Sequence, residues 1–236
     1  MKSFHGVLSE RIMRTSTVES FCFKTEEKIN FEPGQFLKVI FDQEVLSNKN
    51  LNKYLSFSCS PLNDYIEVTK RLSDSDFSSA LKALKPGDEV MFQGPMGNCV
   101  FKDSYEKIGF LVGGIGITPI ISIIEYIAQK KLETDIVLMY SNRHHGEIAF
   151  RQELDSWLKE QGAFNIVYTL TDCMPEDNIC IHGQIDKILL EKSITDVQQR
   201  KLFIFGPPRM VDAMKKMCDD IGCIKDLVLA ENFVGY

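Results

Sequence analysis

The 236-residue chain has no Cys-x-x-Cys pair, no block of lysine and arginine, no unbroken apolar run long enough for a membrane helix, and only four histidines. Each absence excludes a class of function. Seven cysteines are present (Cys22, Cys59, Cys99, Cys173, Cys180, Cys218 and Cys223), but the number is odd and the spacing irregular. A zinc site, a disulfide framework and a four-thiolate iron–sulfur cluster all fail to fit that pattern. The cysteines read as buried free thiols in a reducing compartment, which points to the cytoplasm. A net charge of −6 and a pI near 5.3 leave no basic track for nucleic-acid phosphates. The longest charge-free stretch, residues 108–124, is broken by Gly113, Gly114, Gly116 and Pro119. It reads as a strand, a loop and a helix start, not as a membrane span. Residues 1–10 lack the charged-then-apolar order of a secretory leader. His144, His145 and Glu147 suggest no metal site, because adjacent imidazoles diverge and no further ligand lies near in sequence.

What is present is an ordinary globular composition, 44% hydrophobic and 25% charged, with room for one large domain or two ordinary ones. The chain changes character near residue 104. Up to about Phe101 the signals are short strands such as Phe36–Phe41, Tyr65–Thr69 and Glu89–Phe92, with turns at Pro33-Gly34 and Pro86-Gly87-Asp88. Their alternation predicts an antiparallel barrel, interrupted by one helix from about Phe77 to Leu84. From Lys107 onward, strands are expected at Ile108–Val112, Ile136–Tyr140, Ile166–Thr171, Leu202–Phe205 and Asp226–Leu229. Helices are expected at Pro119–Lys130, Glu147–Glu160, Asp186–Glu191 and Met210–Ile221. Strands alternating with helices give a parallel sheet covered on both faces. The sequence thus divides into a barrel, residues 1–103, and an α/β domain, residues 104–236.

The strongest chemical signal is Val112-Gly113-Gly114-Ile115-Gly116-Ile117-Thr118-Pro119. A strand enters, glycines turn, Thr118 serves as N-cap and Pro119 takes the first helical position. Such a turn lets a pyrophosphate approach the backbone at a helix N-terminus; a tight strand–helix turn without a ligand has the same look. Phe205-Gly206-Pro207-Pro208-Arg209-Met210 closes a later strand, where α/β sheets bind ligands. In the barrel, Lys53-Tyr54-Leu55-Ser56-Phe57-Ser58-Cys59-Ser60-Pro61 is dense in hydroxyls. Alternation puts Lys53 and Leu55 on one face, where a cation and backbone groups suit an anionic planar ligand. Ser75, Ser78 and Ser79 at a helix start suit a phosphate, and equally a simple cap.

The order of these segments, with Gly94-Pro95-Met96-Gly97 between them and Glu231-Asn232-Phe233-Val234-Gly235-Tyr236 at the end, resembles the ferredoxin–NADP reductase superfamily over almost the whole chain. The resemblance implies a flavin-binding barrel followed by a nicotinamide-dinucleotide domain without a fused iron–sulfur domain. It implies FAD as cofactor, NADH or NADPH as co-substrate, and hydride transfer between two rings held face to face. Aligned on Pro61, the family's Arg-x-Tyr/Phe-Ser motif falls on Lys53, Tyr54, Leu55 and Ser56. Lys53 then stands where an Arg meets the flavin pyrophosphate, and Leu55 where an aromatic flanks the flavin ring. Ser56 matches a catalytic hydroxyl near flavin N5. Ser78 and Ser79 match the phosphate-contacting helix start, with Ser75 where Gly is usual. Gly113, Gly114, Gly116, Thr118 and Pro119 match the nucleotide pyrophosphate loop. Gly206, Pro207, Pro208 and Met210 match the loop beside the nicotinamide, with Phe205 in place of a frequent Cys. Glu231 resembles the acid that orders the nicotinamide site, and Tyr236 a terminal aromatic over the flavin.

Thr169-Leu170-Thr171-Asp172 is more like the NADH-using members, since Asp172 repels a 2′-phosphate, while Arg143 argues for NADPH; NADH is favoured. The expected activity is an FAD-dependent NAD(P)H oxidoreductase delivering electrons to a separate redox protein, an oxygenase component or free flavin. A flavin reductase that uses flavin as substrate and a non-catalytic dinucleotide-binding adapter are the alternatives, the latter favoured by Leu55 and Phe205.

Overall fold

The computed structural model describes residues 2–160, 162–176 and 178–233. It divides into two compact units, Met1–Phe101 with Thr118–Gln129, and Lys102–Ile117 with Lys130–Tyr236.

The first unit is a six-stranded antiparallel sheet formed by β1 (Lys2–Met13), β2 (Val18–Thr25), β3 (Phe36–Ile40), β4 (Asn52–Ser56), β5 (Ile66–Arg71) and β6 (Glu89–Met96). The strand order is β4-β3-β6-β1-β2-β5. An antiparallel bridge between Phe57, just past β4, and Val68 on β5 draws the two outer strands together, so the sheet nearly closes on itself. A bulge between Leu8 and Glu10 adds the twist that closure requires. The interior holds Phe21, Phe23, Leu37, Val39, Phe57, Val68 and Phe92. Helix α1 (Asp76–Ala83) contributes Phe77 and Leu81 to this core. Helix α2 (Thr118–Lys130) also belongs mainly to this unit. Its Glu125 carboxylate accepts the Ser60 N–H at 2.6 Å and the Asn63 amide at 3.1 Å.

The second unit is a parallel sheet of β7 (Lys107–Gly113), β8 (Asp135–Asn142), β9 (Phe164–Leu170), β10 (Cys180–His182), β11 (Lys201–Gly206) and β12 (Val228–Asn232), in the order β10-β9-β8-β7-β11-β12. The chain runs outward from β7 to β10, then crosses back to β11. The switch point therefore lies between the ends of β7 and β11. Helices α4 (Lys187–Ser193) and α5 (Pro208–Asp220) cover one face through Leu190, Val211, Met214 and Met217. Helix α3 (Arg151–Glu160) buries Leu154 and packs beside β9.

Three local features differ from the sequence reading. A 3-10 turn, Gly114–Ile117, runs straight into α2, so Thr118 is its first residue and not a cap before it. The helix expected from Glu147 is a short 3-10 turn at His145–Glu147 followed by α3. Phe150, at φ 60°, breaks the helical path between them. Strand β10 has three residues, too few to show a period in the sequence. No described helix is long and apolar enough to cross a membrane.

Candidate active site

In the second unit, the ends of β7 and β11 bring the two glycine loops into contact. A Cβ on Gly113 would fall on the Met210 sulfur. A Cβ on Gly116 would lie 2.6 Å from the Phe205 carbonyl oxygen and 3.0 Å from the Gly206 nitrogen. Gly116 is therefore required for packing one loop against the other. Gly114 is different: its φ is 53°, and a Cβ there would meet nothing within 4 Å. Its exposed backbone, one turn ahead of α2, leaves open space of the kind a pyrophosphate uses.

Pro207 precedes α5, Pro208 is its first residue, and Met210 follows on the same turn. Parallel pairing sets Glu231 beside Phe205 and Asn232 beside Gly206. The Phe233 N–H then donates to the Gly206 carbonyl at 3.0 Å. Phe205 is fully buried, stacked on Phe203 and edge-on to Phe233, so it fills core and presents no reactive group. Burial pushes the Glu231 carboxyl above its usual range. Tyr236 lies outside the described residues.

A cavity of about 330 Å³ opens at the C-terminal ends of β8 and β9, bounded by α5. Ser141, Thr171 and Gln184 line its polar side, Met210, Met214 and Ile185 its apolar side, and Arg209 also reaches it. Thr169 pairs with Ser141 across the strands and so shares its face. The Thr169 hydroxyl is fully buried and has no hydrogen-bond partner among the described residues. Open Gly114 and the cavity fit a dinucleotide. Arg143 and Asp172, set against each other in the sequence reading, lie on adjoining turns: the Asp172 N–H donates to the Arg143 carbonyl at 3.0 Å, and the Thr171 hydroxyl donates to the Asp172 carboxylate at 2.7 Å.

In the first unit, β4 places its residues by alternation. Leu55 is 8% exposed and belongs to the core. Lys53, two residues earlier on the same face by alternation, is half-exposed. Tyr54, 60% exposed, is the aromatic this strand offers outward. Phe36 meets its ring edge-on, and the Lys38 ammonium lies 5.7 Å from the ring centroid. Ser56 is buried at the end of β4, opposite Phe36. Ser78 is buried in α1, with its N–H donating to the Ser75 hydroxyl at 3.3 Å, while Ser79 is exposed. Ser75, in place of the usual glycine, therefore caps this helix itself.

No motif pointed to Lys70. It follows Ile66 and Val68 on the inward side of β5 and is 5% exposed. Its ammonium donates to the Arg71 carbonyl at 2.7 Å. Burial, then the charges of Lys53 and Arg71, bring its pKa down to about 8. An inward lysine in an otherwise apolar alternation was the signal available in the sequence. A cluster of three cations, Lys53, Lys70 and Arg71, fits the diphosphate of a flavin dinucleotide.

Comparison with known proteins finds two family matches in the chain. Residues 5–101 match the oxidoreductase FAD-binding domain family and residues 110–216 the oxidoreductase NAD-binding domain family. NADH-cytochrome b5 reductase 2 of Mycosarcoma maydis is 30% identical over 152 residues, covering 62% of this chain and 43% of that protein. NADH-cytochrome b5 reductase 1 of Aspergillus terreus (strain NIH 2624 / FGSC A1156) is 28% identical over 200 residues, covering 81% of this chain and 68% of that protein. The match thus spans less than half the length of the first of these relatives. A crystal structure of a ferredoxin NADP+ reductase from Neisseria gonorrhoeae with bound FAD and NADP superposes with a TM-score of 0.82, covering 98% of this chain and 99% of that one at 20% identity. At that identity the likeness establishes the fold.

Proposed function

Because the chain belongs to the oxidoreductases that join an FAD-binding domain to an NAD-binding domain, we propose that it oxidises NADH and passes the electrons through FAD to a separate acceptor. The observation that carries this reading is the contact of the two glycine loops at the switch point, with Gly114 left open beside them. The chemistry supplied by bound FAD is acceptance of a hydride equivalent and its release as electrons singly or in a pair.

The residues divide the remaining work. Lys53, Lys70 and the start of α1 at Ser78 and Ser79 hold the flavin's diphosphate, and Tyr54 offers an aromatic face to its outer part. Ser56 supplies a hydroxyl hydrogen bond at the reacting edge of the flavin ring. Gly113, Gly114, Gly116, Thr118 and Pro119 hold the coenzyme diphosphate at a helix start. Gly206, Pro207, Pro208 and Met210 form the wall against which the nicotinamide is oriented, and Glu231, whose carboxyl burial pushes above its usual range, hydrogen-bonds its amide. Asp172 favours NADH over NADPH. Cytochrome b5 is the acceptor in the names of the fungal relatives, and a small one-electron redox protein of that kind is the acceptor proposed here. The seven free thiols among the described residues suit a reducing, cytoplasmic setting.

A second reading is favoured by Leu55. With a core aliphatic where the family uses an aromatic to flank the flavin, flavin is held more weakly and enters and leaves as a substrate. Anaerobic addition of NADH to the purified protein with FAD tests both. Bleaching of a flavin that stays with the protein through gel filtration supports the first reading, and bleaching only of added free flavin supports the second. No oxidation of NADH with FAD or FMN present would leave an adapter that binds dinucleotide without turning it over.

A further inference from the structure

The cavity at the ends of β8 and β9 has a charge that the sequence reading of coenzyme choice did not include. Neither Asp172 nor Arg143 is among its lining residues; Arg209 is. Its position in the sheet identifies the part of the coenzyme that reaches it. Neighbouring strands lie about 4.8 Å apart, so the end of β9 is about 10 Å from the end of β7. A diphosphate held at the β7 turn sends one nucleoside toward β11 and β12, where Glu231 stands, and the other toward β8 and β9. The nicotinamide takes the first direction, which leaves the adenosine for the cavity. Met214 and Ile185 suit the faces of a purine, and Thr171 and Gln184 suit ribose hydroxyls.

We propose that Arg209 is the specificity-determining cation of the adenosine pocket, placed to pair with a phosphate on the ribose 2′ oxygen. The inference rests on the reading of the second unit as the coenzyme site. A guanidinium presents a planar fork of donors that matches a phosphate. Its attraction offsets the repulsion from Asp172, so the chain tolerates NADPH to an extent that Asp172 alone would forbid. Arg209 directly follows Pro208 at the start of α5, and its backbone is fixed by the contact of the two glycine loops.

The test uses the whole chain and calorimetric titration with adenosine fragments, which needs no turnover. The probes are 2′,5′-ADP, which carries the 2′-phosphate, and 5′-AMP, which lacks it. For Arg209→Gln the expected result is 2′,5′-ADP binding weakened at least about tenfold, with 5′-AMP changed less than about twofold. Arg209→Lys should recover part of the difference, because it keeps the charge without the fork. Raising the salt should weaken 2′,5′-ADP far more than 5′-AMP in the natural chain. Equal losses for both probes, no loss for either, or a loss that appears in Arg143→Gln and not in Arg209→Gln would overturn the proposal. Failure of the natural chain to bind NADH or either fragment would instead overturn the coenzyme site itself. Binding of 5′-AMP without 2′,5′-ADP would refute only the role of Arg209.

Discussion

Met210 places its sulfur where a side chain on Gly113 would begin, so a Cβ at residue 113 would displace the methionine that joins the loop after β7 to the loop after β11. The neighbouring Gly116 meets the Phe205 backbone in the same way.

These two glycines should not respond alike to substitution. Gly113→Ala pushes against the end of a flexible methionine, which can turn aside. Gly116→Ala pushes against a carbonyl fixed in a central strand. Gly116→Ala is expected to cost about 1–3 kcal/mol and to weaken NADH binding, with Gly113→Ala milder on both counts. Thermal unfolding and NADH titration of the two variants check the order, and a reversed order would show that the methionine is the more rigid partner.

Ser56→Ala should slow flavin reduction by about ten- to a hundredfold while leaving NADH affinity within about twofold, since one hydrogen bond at the reacting edge is lost and none to the coenzyme. Anaerobic stopped-flow mixing separates the two quantities. An unchanged reduction rate would remove Ser56 from the chemistry.

With Lys70 proposed at the flavin diphosphate, its pKa of about 8 should give flavin affinity a pH dependence. Below about pH 8 the amine is charged and attracts the diphosphate; above it, the charge and its attraction fade. FAD binding followed by fluorescence quenching should weaken as pH rises from about 7 to about 9, and riboflavin, which has no phosphate, should show no such trend. Lys70→Arg should flatten the FAD curve.

At the opposite end of the parallel sheet, Arg200 is almost wholly buried and pairs with Asp135 at 2.8 Å and Asp196 at 2.5 Å. Its guanidinium, assisted by Lys107, holds the Asp196 carboxyl at a pKa of about 2. A carboxyl lowered in this way stabilises the fold above its unfolded value of about 3.9, and that contribution is lost as pH falls from about 4 to about 2. Arg200→Ala should cost about 3 kcal/mol at neutral pH, at the low end for a broken buried pair because Asp135 stays partly in water. Asp196→Asn should make the acid limb of unfolding shallower. Denaturant titrations between about pH 2 and 7 check both.

The sequence conveyed the architecture well because its signals are local. The period-two strands, the glycines after β7 and the Gly-Pro-Pro of β11 each state their conformation within a few residues. What it hid depends on residues distant in the chain. Lys70 acquires its character from burial in the closed barrel and then from Lys53 on another strand. Arg209 looks like a loop cation until the cavity places it beside Thr171 and Gln184. Thr118 looked like a cap because Thr-Pro commonly is one, yet the preceding Gly114–Ile117 turn already supplies the helical start. Leu55 illustrates the converse: alternation places it on the face of Lys53, but its burial in the core depends on how the barrel closes.

That closure has a consequence for solubility. With Phe57 bridged to Val68 and the Ser58 N–H donating to the Glu67 carbonyl at 2.8 Å, the two outermost strands of the antiparallel sheet meet at one end. A foreign strand finds little ladder there to extend. On the parallel sheet, the margin at β10 is three residues long, too short a template for stacking molecules edge to edge, so filament growth by strand addition is disfavoured at both places.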